Sequence, residues 1–243
     1  MIRRFAVKTL LTLLLVFSLT QGKAGAGEAP PIVELGPMLG YVGPEEAHIW
    51  IKASAPASGG VIVGEGADLH KGRAVSGPDL NAETDNMGVI RLTGLKPATK
   101  YFYKTTMNGI PDAGSPHAFI TAPSGGAKGH FRFAMISCIG ELERYLHLPR
   151  AKASVTAAWR ALAKVPVDFV LQLGDNIYAG TTDTGVQRRM YDWHRRLPPY
   201  RRLMAATPML AIWDDWDYAG GTALGDSDGT ASGKQRSLRT FKQ

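Results

Sequence analysis

The sequence predicts an all-β sandwich followed by an α/β domain. Short runs that alternate apolar and polar residues, bounded by glycine, fill residues 30–121 and are typical of antiparallel strands. From residue 131 to residue 243, apolar strands alternate with helical patterns, which favours a parallel sheet with crossover helices. The glycine-rich stretch APSGGAKGH at 122–130 separates the two patterns, and we interpret it as a linker.

Residues 1–26 have the layout of a secretory signal peptide. Basic residues precede the apolar run TLLTLLLVFSLT, and the small residues AGA follow at 24–26, as at a cleavage site. The run is short for a membrane span, so an uncleaved anchor is the weaker alternative. Removing 1–26 takes away four basic residues and no acidic one, which lowers the formal net charge from +7 to +3. We therefore expect a secreted or periplasmic protein with no stable membrane anchor and no specific nucleic-acid binding.

The strands of the first domain are predicted from local alternation. In AHIWIKA, Ile49 and Ile51 alternate with Trp50 and Lys52, and GVIVGEG, GVIRLTGL and HAFITAP are further short β-rich runs. Tyr101 enters the strand KYFYKTT just after a proline-containing corner. That arrangement resembles the tyrosine corner of fibronectin type III-like domains. We therefore expect a fibronectin type III or immunoglobulin-like sandwich over residues 30–121, in which Tyr101 is structural.

The α/β domain is predicted from three apolar strands and two helices. The strands are FRFAMISC, VDFVLQLGD and TPMLAIWDD, and the helices are SVTAAWRALAKV, with Ser154 as its cap, and TGVQRRMYDWHRRL. In the second helix, Met190, Trp193 and Leu197 form an apolar stripe. The arginines of this region are assigned to its solvated face, although arginine also suits phosphate recognition.

The three predicted strands all end in residues that can bind cations. Carboxyl ends of neighbouring parallel strands share one edge of the sheet, so these side chains are expected to meet. Thiolate and phenolate suit a highly charged transition metal, whereas carboxylate and amide oxygens suit Ca²⁺, Mg²⁺ or Mn²⁺. The mixture suggests two different metals that share an aspartate and clamp a phosphoryl group. The residues are Cys138, then Asp175, Asn176 and Tyr178, then Asp214, Asp215 and Asp217.

Cys138 is the only cysteine of the chain, so the protein has no internal disulfide. A lone cysteine in an exported protein is either buried filler or a chemically employed group such as a metal ligand. Composition favours filler, and the strand-end pattern favours the ligand.

The motifs FRFAMISC, VDFVLQLGDNIYAG and PMLAIWDDWDYAGG, in this order and spacing, resemble those of the alkaline phosphatase D (PhoD-like) metallophosphoesterases. The β domain in front is similar to the N-terminal domain of that family. The resemblance implies that 131–243 form the first half of an α/β-β/α metallophosphoesterase sandwich. It also implies a binuclear site of iron (Fe³⁺) and calcium, or other divalent metals, that hydrolyses small phosphate mono- or diesters outside the cytoplasm. We expect the protein to be a monomer.

Carried over to this chain, the family pattern implies specific ligands. Cys138, Asp175 and Tyr178 would hold the iron, Asp175 would bridge to the second metal, and Asp215 would help to bind that metal. Asp175 and Asp215 are therefore the catalytic candidates. Supporting or substrate-adjacent roles fall to Asn176, Asp214, Trp216 and Asp217, with the two aspartates expected to orient ligands or to cap the next turn.

Two departures from the family pattern qualify this interpretation. Trp216 stands where the family has a histidine, and an indole donates one hydrogen bond but transfers no proton. The family's domain also continues beyond the point where this chain ends, with further histidine ligands. We therefore interpret 131–243 as a truncated catalytic domain. The alternative is a non-catalytic exported binding protein or a degenerate remnant of such an enzyme.

Overall fold

The computed structural model describes residues 29–140, 148–221 and 231–243. The predicted signal peptide lies outside these residues. Within them, no helix is both long and apolar enough to cross a membrane. Residues 31–243 pack as one compact unit, and the boundaries of the predicted domains and linker stay predictions.

The N-terminal part is a β sandwich, as the sequence predicts. Its strands are β1 (Val33–Val42), β2 (Glu46–Ala53), β3 (Ala57–Gly64), β4 (Arg73–Leu80), β5 (Met87–Thr93), β6 (Lys100–Met107), β7 (Ile110–Pro111) and β8 (His117–Ile120). One sheet has the order β1-β2-β5, and the other has the order β4-β3-β6-β7, with β8 also paired to β6. All these pairs are antiparallel. A single 3-10 turn, Ala82–Thr84, precedes β5.

Alternate residues of both sheets fill the core of the sandwich. Ile49, Ile51 and Tyr103 are fully buried there, in agreement with the alternation in the sequence. The Tyr101 hydroxyl accepts a hydrogen bond of 2.9 Å from the backbone N–H of Lys96, which ties the corner to the start of β6. The predicted tyrosine corner is therefore present.

A parallel sheet with helices follows the sandwich. Its elements are β9 (Phe133–Ile136), α1 (Pro149–Leu162), β10 (Phe169–Leu173), α2 (Thr184–Arg195), α3 (Pro198–Met204), β11 (Met209–Ile212), α4 (Asp215–Tyr218) and α5 (Ala231–Phe241). The strand order is β11-β10-β9, and both pairings are parallel, with Val170 opposite Met209 on one side and Ala134 on the other. The carboxyl ends of all three strands therefore lie at the same edge.

The first helix begins earlier than the sequence predicts. Helix α1 begins at Pro149, so Ser154 lies inside it and does not cap it. Proline suits the first turn, because its fixed φ is helical and an N–H there has no intrahelical partner. Helix α2 has the expected kind of cap: the Asp183 carboxylate accepts hydrogen bonds from the backbone N–H groups of Gly185 and Val186.

Helix α2 buries a different face from the predicted stripe. Met190 is buried as expected, whereas Trp193 is only half-buried. Arg195, assigned to the solvated face, instead lies against aromatic rings, with its guanidinium carbon 4.3 Å from the centre of the Trp50 ring. Polar side chains contribute to the buried face, which is why an apolar stripe did not reveal it. That face has the helical spacing i, i+3, i+4, i+7 and consists of Gln187, Met190, Tyr191 and His194.

The outer face of sheet β1-β2-β5 is buried beneath these helices. Trp50 and Lys52 alternate with the core residues of β2, yet they are only 4% and 7% exposed. The Lys52 ammonium donates hydrogen bonds of 2.8 Å to both Asp85 and Asp192. A buried ammonium is costly unless it is paired, and Lys52 is paired with one carboxylate of the sandwich and one of α2. The triad therefore joins the sandwich to α2. The Tyr103 hydroxyl adds a second link by donating to the carbonyl of Ala205 at 2.7 Å.

Within the described residues, the parallel sheet is covered on one face only. The covered face packs Val170 and Met209 against Trp159 of α1 and the residues of α3. The opposite face carries large apolar side chains that are between 36% and 64% exposed: Phe133, Met135, Leu173, Leu210 and Ile212. The exposed apolar surface of the sheet therefore lies on this second face.

This exposed face predicts dye binding and self-association by the 243-residue chain. Met135→Gln should reduce anilinonaphthalene-sulfonate fluorescence and light scattering without lowering the melting temperature, because the removed apolar group is already in water. Ile110→Gln is the matched control, since Ile110 is equally exposed but lies in the hairpin strand β7 of the sandwich. Equal effects of the two substitutions would contradict the prediction.

His194 predicts a pH dependence of stability. Burial, and then the charge of Arg195, lower the pKa of His194 to about 4, whereas an unfolded histidine titrates near 6.5. Between these values the unfolded chain binds the proton and the folded protein does not, so stability falls as pH drops from about 6.5 to 4. The loss is on the order of 3 kcal/mol.

Urea unfolding as a function of pH tests this dependence. His194→Gln should flatten the decrease in the free energy of unfolding between pH 6.5 and 4. His70→Gln, at an exposed position of the sandwich, should keep the wild-type slope. An unchanged slope in His194→Gln would show that another group causes the acid sensitivity.

Candidate metal centre

The ends of the three parallel strands converge, as the sequence predicts. Cys138 follows β9, Asp175 follows β10, and Asp214 and Asp215 follow β11. The Cys138 thiol donates a hydrogen bond to Asp175 Oδ2 at 3.4 Å. Cys138 is exposed, so it is not the buried filler that composition favoured.

The backbone at this edge takes an unusual conformation. Cys138 and Asp175 have φ values of 55° and 51°, in the left-handed region that costs most L-residues about 1–2 kcal/mol. Gly174 precedes Asp175 with a φ of 95°, and a Cβ there would lie only 2.5 Å from Asp214 Cβ. The glycine therefore allows the ends of β10 and β11 to approach closely. Strain of this kind tends to occur at functional sites.

Three carboxylates form a group with the geometry of a cation site. Asp175, Asp214 and Asp215 each offer an oxygen, and these oxygens all lie within 4.8 Å of one another. Asp175 Oδ1 is buried and has no hydrogen-bond partner in the described part of the chain. Because like charges at this distance repel and a buried carboxylate oxygen needs a partner, the group fits a bound cation.

The pKa of Asp175 reflects the same environment. Burial is the largest cause and raises this pKa, and the charges of Asp215 and Asp214 raise it further. Hydrogen bonds from Cys138 and Tyr178 act in the opposite direction. The ionisation of Asp175 is therefore affected by two groups of side chains. One group is the thiol of Cys138 and the phenol of Tyr178, and the other is the carboxylates of Asp214 and Asp215.

Tyr178 completes a second set of donors around Asp175. Its hydroxyl interacts with both Cys138 and Asp175, and burial, followed by these interactions, raises the pKa of Tyr178 well above its usual range. The first donor set is the thiol of Cys138, the phenol of Tyr178 and the carboxylate of Asp175. The second donor set is the carboxylates of Asp175, Asp214 and Asp215, and the two sets differ in chemistry. Asp214 belongs to the second set, although the sequence analysis gave it only a supporting role. No described histidine belongs to the carboxylate group.

Asp217 is the buried residue that fixes the two aspartate-bearing loops. Its side chain is 1% exposed. Oδ2 accepts hydrogen bonds from the backbone N–H of Asp214 and from both the backbone and the side-chain amide of Asn176, at 3.0 to 3.2 Å. Oδ1 accepts from the Ile177 N–H and the Tyr191 hydroxyl, both at 3.1 Å. Five donors on three chain segments therefore share one carboxylate.

Asn176 strengthens the same connection. Its side-chain amide donates to the carbonyl of Ile212 at 2.8 Å as well as to Asp217, so it joins the loop after β10 to the end of β11. Asp214 caps the short helix α4, and its Oδ1 accepts from the N–H of Asp215 at 2.9 Å. Asn176 and Asp217 therefore connect the ends of β10 and β11, and their roles around a bound metal stay predictions.

Trp216 is packed beside the donors. Its ring meets Tyr178 edge-to-face with 5.1 Å between ring centres. A Cβ at Gly221 would lie 2.7 Å from the indole, and one at Gly180 would lie 3.4 Å from it, so two glycines leave room for the ring. Trp216 therefore adds an aromatic wall, and no titratable group, beside the donors.

Sequence reasoning did not identify two residues that support this centre. Tyr191 donates to Asp217, and the fully buried Gln187 donates from its amide to the carbonyl of Tyr218 at 3.0 Å and to Ser237 Oγ at 2.8 Å. Both lie on the buried face of α2. Their helical spacing was visible in the sequence, but a polar glutamine does not register in an apolar pattern.

Comparison with known families gives a match for the sandwich region. Residues 31–122 match the model described as "Domain of unknown function (DUF7800)", which covers less than half of the chain. No curated protein matches the sequence.

Comparison with solved structures identifies the fold. The chain is similar to a structure titled "Structure of PhoD", with a TM-score of 0.68 over 88% of this chain at 15% identity. The fold is PhoD-like. At this identity the likeness extends to the fold alone. The chain spans 46% of the length of that PhoD chain.

Smaller domains match with much lower scores. A fibronectin type III domain of human contactin 1 is 17% identical, covers 44% of this chain and all of its own, and has a TM-score of 0.26. The sensor domain of the anti-sigma factor RsgI4 of Pseudobacteroides cellulosolvens is 15% identical, covers 40% of this chain and 98% of its own, and scores 0.30. Scores this low carry no argument, and the sandwich is defined by its own strand order.

The hydrogen bonds of Asp217 predict a large cost for a neutral replacement. Asp217→Asn places an NH₂ group against N–H donors, so we expect a loss of about 2–4 kcal/mol in the free energy of unfolding. Asp79→Asn is the control, because Asp79 is an exposed aspartate of the sandwich with a single hydrogen bond to Ser58. Chemical denaturation of both variants checks the difference, and equal small losses would contradict it.

Proposed function

We propose that this chain carries the metal site of a phosphoesterase that hydrolyses small phosphate mono- or diesters. The observation that carries the proposal is the meeting of a thiol, a phenol and three carboxylates at the carboxyl edge of one parallel sheet. Edges of this kind are where α/β sheets place their ligands. The PhoD-like fold supports the reaction class, and we further propose that the protein acts outside the cytoplasm.

The donor sets divide between two metal ions. Cys138, Asp175 and Tyr178 would hold Fe³⁺, because anionic sulfur and phenolate oxygen suit a highly charged transition metal. Asp175, Asp214 and Asp215 would hold Ca²⁺ or another divalent ion, because their oxygens are hard donors. When bound, such ions polarise a phosphoryl oxygen and make water acidic enough to supply a nucleophile.

The chain's own residues position these donors. Asp217 holds Asn176 and Asp214 in place through hydrogen bonds of 3.0 to 3.2 Å, so the donors that follow β10 and β11 are set before a metal arrives. The thiol of Cys138 is exposed, so a metal ion from solution can reach it. Prearranged donors of this kind avoid reorganisation when the metal and substrate bind.

Trp216 shapes the substrate preference that we propose. The indole donates at most one hydrogen bond and cannot protonate a leaving group. We therefore expect faster turnover of esters with acidic leaving groups, such as p-nitrophenyl phosphate, than of alkyl phosphates. The ring that packs on Tyr178 also offers an apolar surface near the donors.

Metal-dependent turnover tests the proposed function. The 243-residue chain, stripped with a chelator and then reloaded with Fe³⁺ and Ca²⁺, should regain p-nitrophenyl phosphate and bis(p-nitrophenyl) phosphate hydrolysis. Asp175→Ala should lower kcat by at least about a hundredfold, because this carboxylate serves both donor sets. Asp79→Ala, in the sandwich, should keep wild-type activity. Full activity in Asp175→Ala, or in the stripped protein, would contradict the proposal.

A second candidate is an exported binding protein, favoured by the aromatic residue at position 216. In that case the chain binds metal stoichiometrically, with loss of binding in Asp175→Ala, but shows no turnover with either ester. Elemental analysis alongside the kinetic assay separates the two candidates.

A further inference from the structure

A cavity of about 220 Å³ lies between the parallel sheet and the helices that cover it. None of the three aspartates of the carboxylate group lines it, although Asn176 and Tyr191, which both donate to Asp217, do. Aromatic and methionine side chains form much of its wall. Its polar lining includes Gln172, Tyr191, Tyr200 and Arg195.

Arg195 is the unusual member of this wall. No hydrogen bond or salt bridge joins its guanidinium to any residue in the described ranges. Asp192, the acidic residue closest to it on α2, is engaged by Lys52 at 2.8 Å. The guanidinium instead stacks on Trp50 at 4.3 Å and lies 5.2 Å from the centre of the Tyr191 ring. Aromatic faces offset only part of the cost of a partly buried cation.

Gln172 adds an unpaired acceptor to the same cavity. It is 92% buried, with an exposed fraction of 8%, and its amide donates to the Tyr200 hydroxyl at 3.3 Å. In this orientation of the amide, Oε1 makes no hydrogen bond to another described residue. Tyr200 itself stacks on Trp159, with 4.1 Å between ring centres, so the polar groups rest on a rigid wall.

We propose that this cavity binds a small oxoanion that carries a hydroxyl group. Arginine presents parallel N–H donors that match the oxygens of a carboxylate or a phosphate. The hydroxyl of the ligand would donate to Gln172 Oε1. Drug-sized ligands occupy pockets of roughly 300–1,000 Å³, so a cavity of about 220 Å³ suits a smaller molecule such as hydrogen phosphate or a hydroxycarboxylate.

Thermal unfolding of the chelator-treated 243-residue chain gives the first test, because the metal site then holds no ion that could bind phosphate. At constant ionic strength, inorganic phosphate or lactate should raise the melting temperature saturably, since a ligand that binds only the folded state stabilises it. Sulfate and acetate, which lack the hydroxyl at neutral pH, should stabilise less than phosphate and lactate respectively. Whether phosphate or lactate gives the larger shift identifies the source of the oxoanion. Equal shifts with all four ions, or none, would overturn the proposal and indicate a cavity filled by water.

Isothermal titration with the same ions gives the second test. Arg195→Gln should weaken binding by at least about tenfold, because it removes the charge-assisted hydrogen bonds. Arg202→Gln, at an exposed position of α3, is the control and should bind like the wild type. Gln172→Met should lower the affinity for phosphate to that for sulfate and leave the affinity for sulfate unchanged, because it removes the acceptor for the ligand hydroxyl. Wild-type affinity in Arg195→Gln would overturn the proposal, and the wild-type comparison of ions stands even if a variant fails to fold.

Discussion

The structure of the candidate site depends on one buried carboxylate. Asp217 accepts hydrogen bonds from the loop after β10, from the loop after β11 and from α2. Burial raises its pKa, and the hydrogen bonds from Asn176 and Asp214 oppose that change. Because every contact delivers an N–H or O–H to its oxygens, the ionised form is the one that the surroundings satisfy. Together with the parallel pairing of β10 and β11 and the bond from Asn176 to the Ile212 carbonyl, these contacts hold Asp175 and Asp214 at a common edge.

The sandwich supports this arrangement through its outer face. Lys52 reaches from β2 to Asp192 of α2, and the Tyr103 hydroxyl reaches from β6 to the carbonyl that follows α3. These contacts fix the helix that carries Tyr191, which in turn donates to Asp217. These contacts therefore connect the sandwich, through α2, to the candidate metal ligands. They explain physically why residues 31–243 form one compact unit.

The sequence was sufficient for the three parallel strands, for helices α1 and α2 and for five strands of the sandwich, but not for β1, β4 or α3. Alternation in the strands, the corner tyrosine at Tyr101 and the donors at strand ends all depend on local chemistry, which a sequence displays directly. Burial of Trp50 and Lys52 was not predictable, because their strand alternation looks the same whether the second face meets water or a helix. The sequence suggested only a supporting role for Asp214. The close approach that Gly174 allows, which brings Asp214 beside Asp175, is visible only in the structure. The contacts of Gln187 and Arg195 were not predictable either, because they depend on where the elements that pack against α2 lie in space.

The central claim is that the hydrogen bonds of Asp217 position the carboxylates of Asp175, Asp214 and Asp215 to bind a cation. A crystal of the 243-residue chain grown with Mn²⁺, measured above and below the manganese absorption edge, tests it most directly. The account predicts an anomalous peak within coordination distance of Asp175 and at least one of the other two carboxylates. Anomalous peaks elsewhere on the molecule, with none between these carboxylates at saturating Mn²⁺, would contradict it.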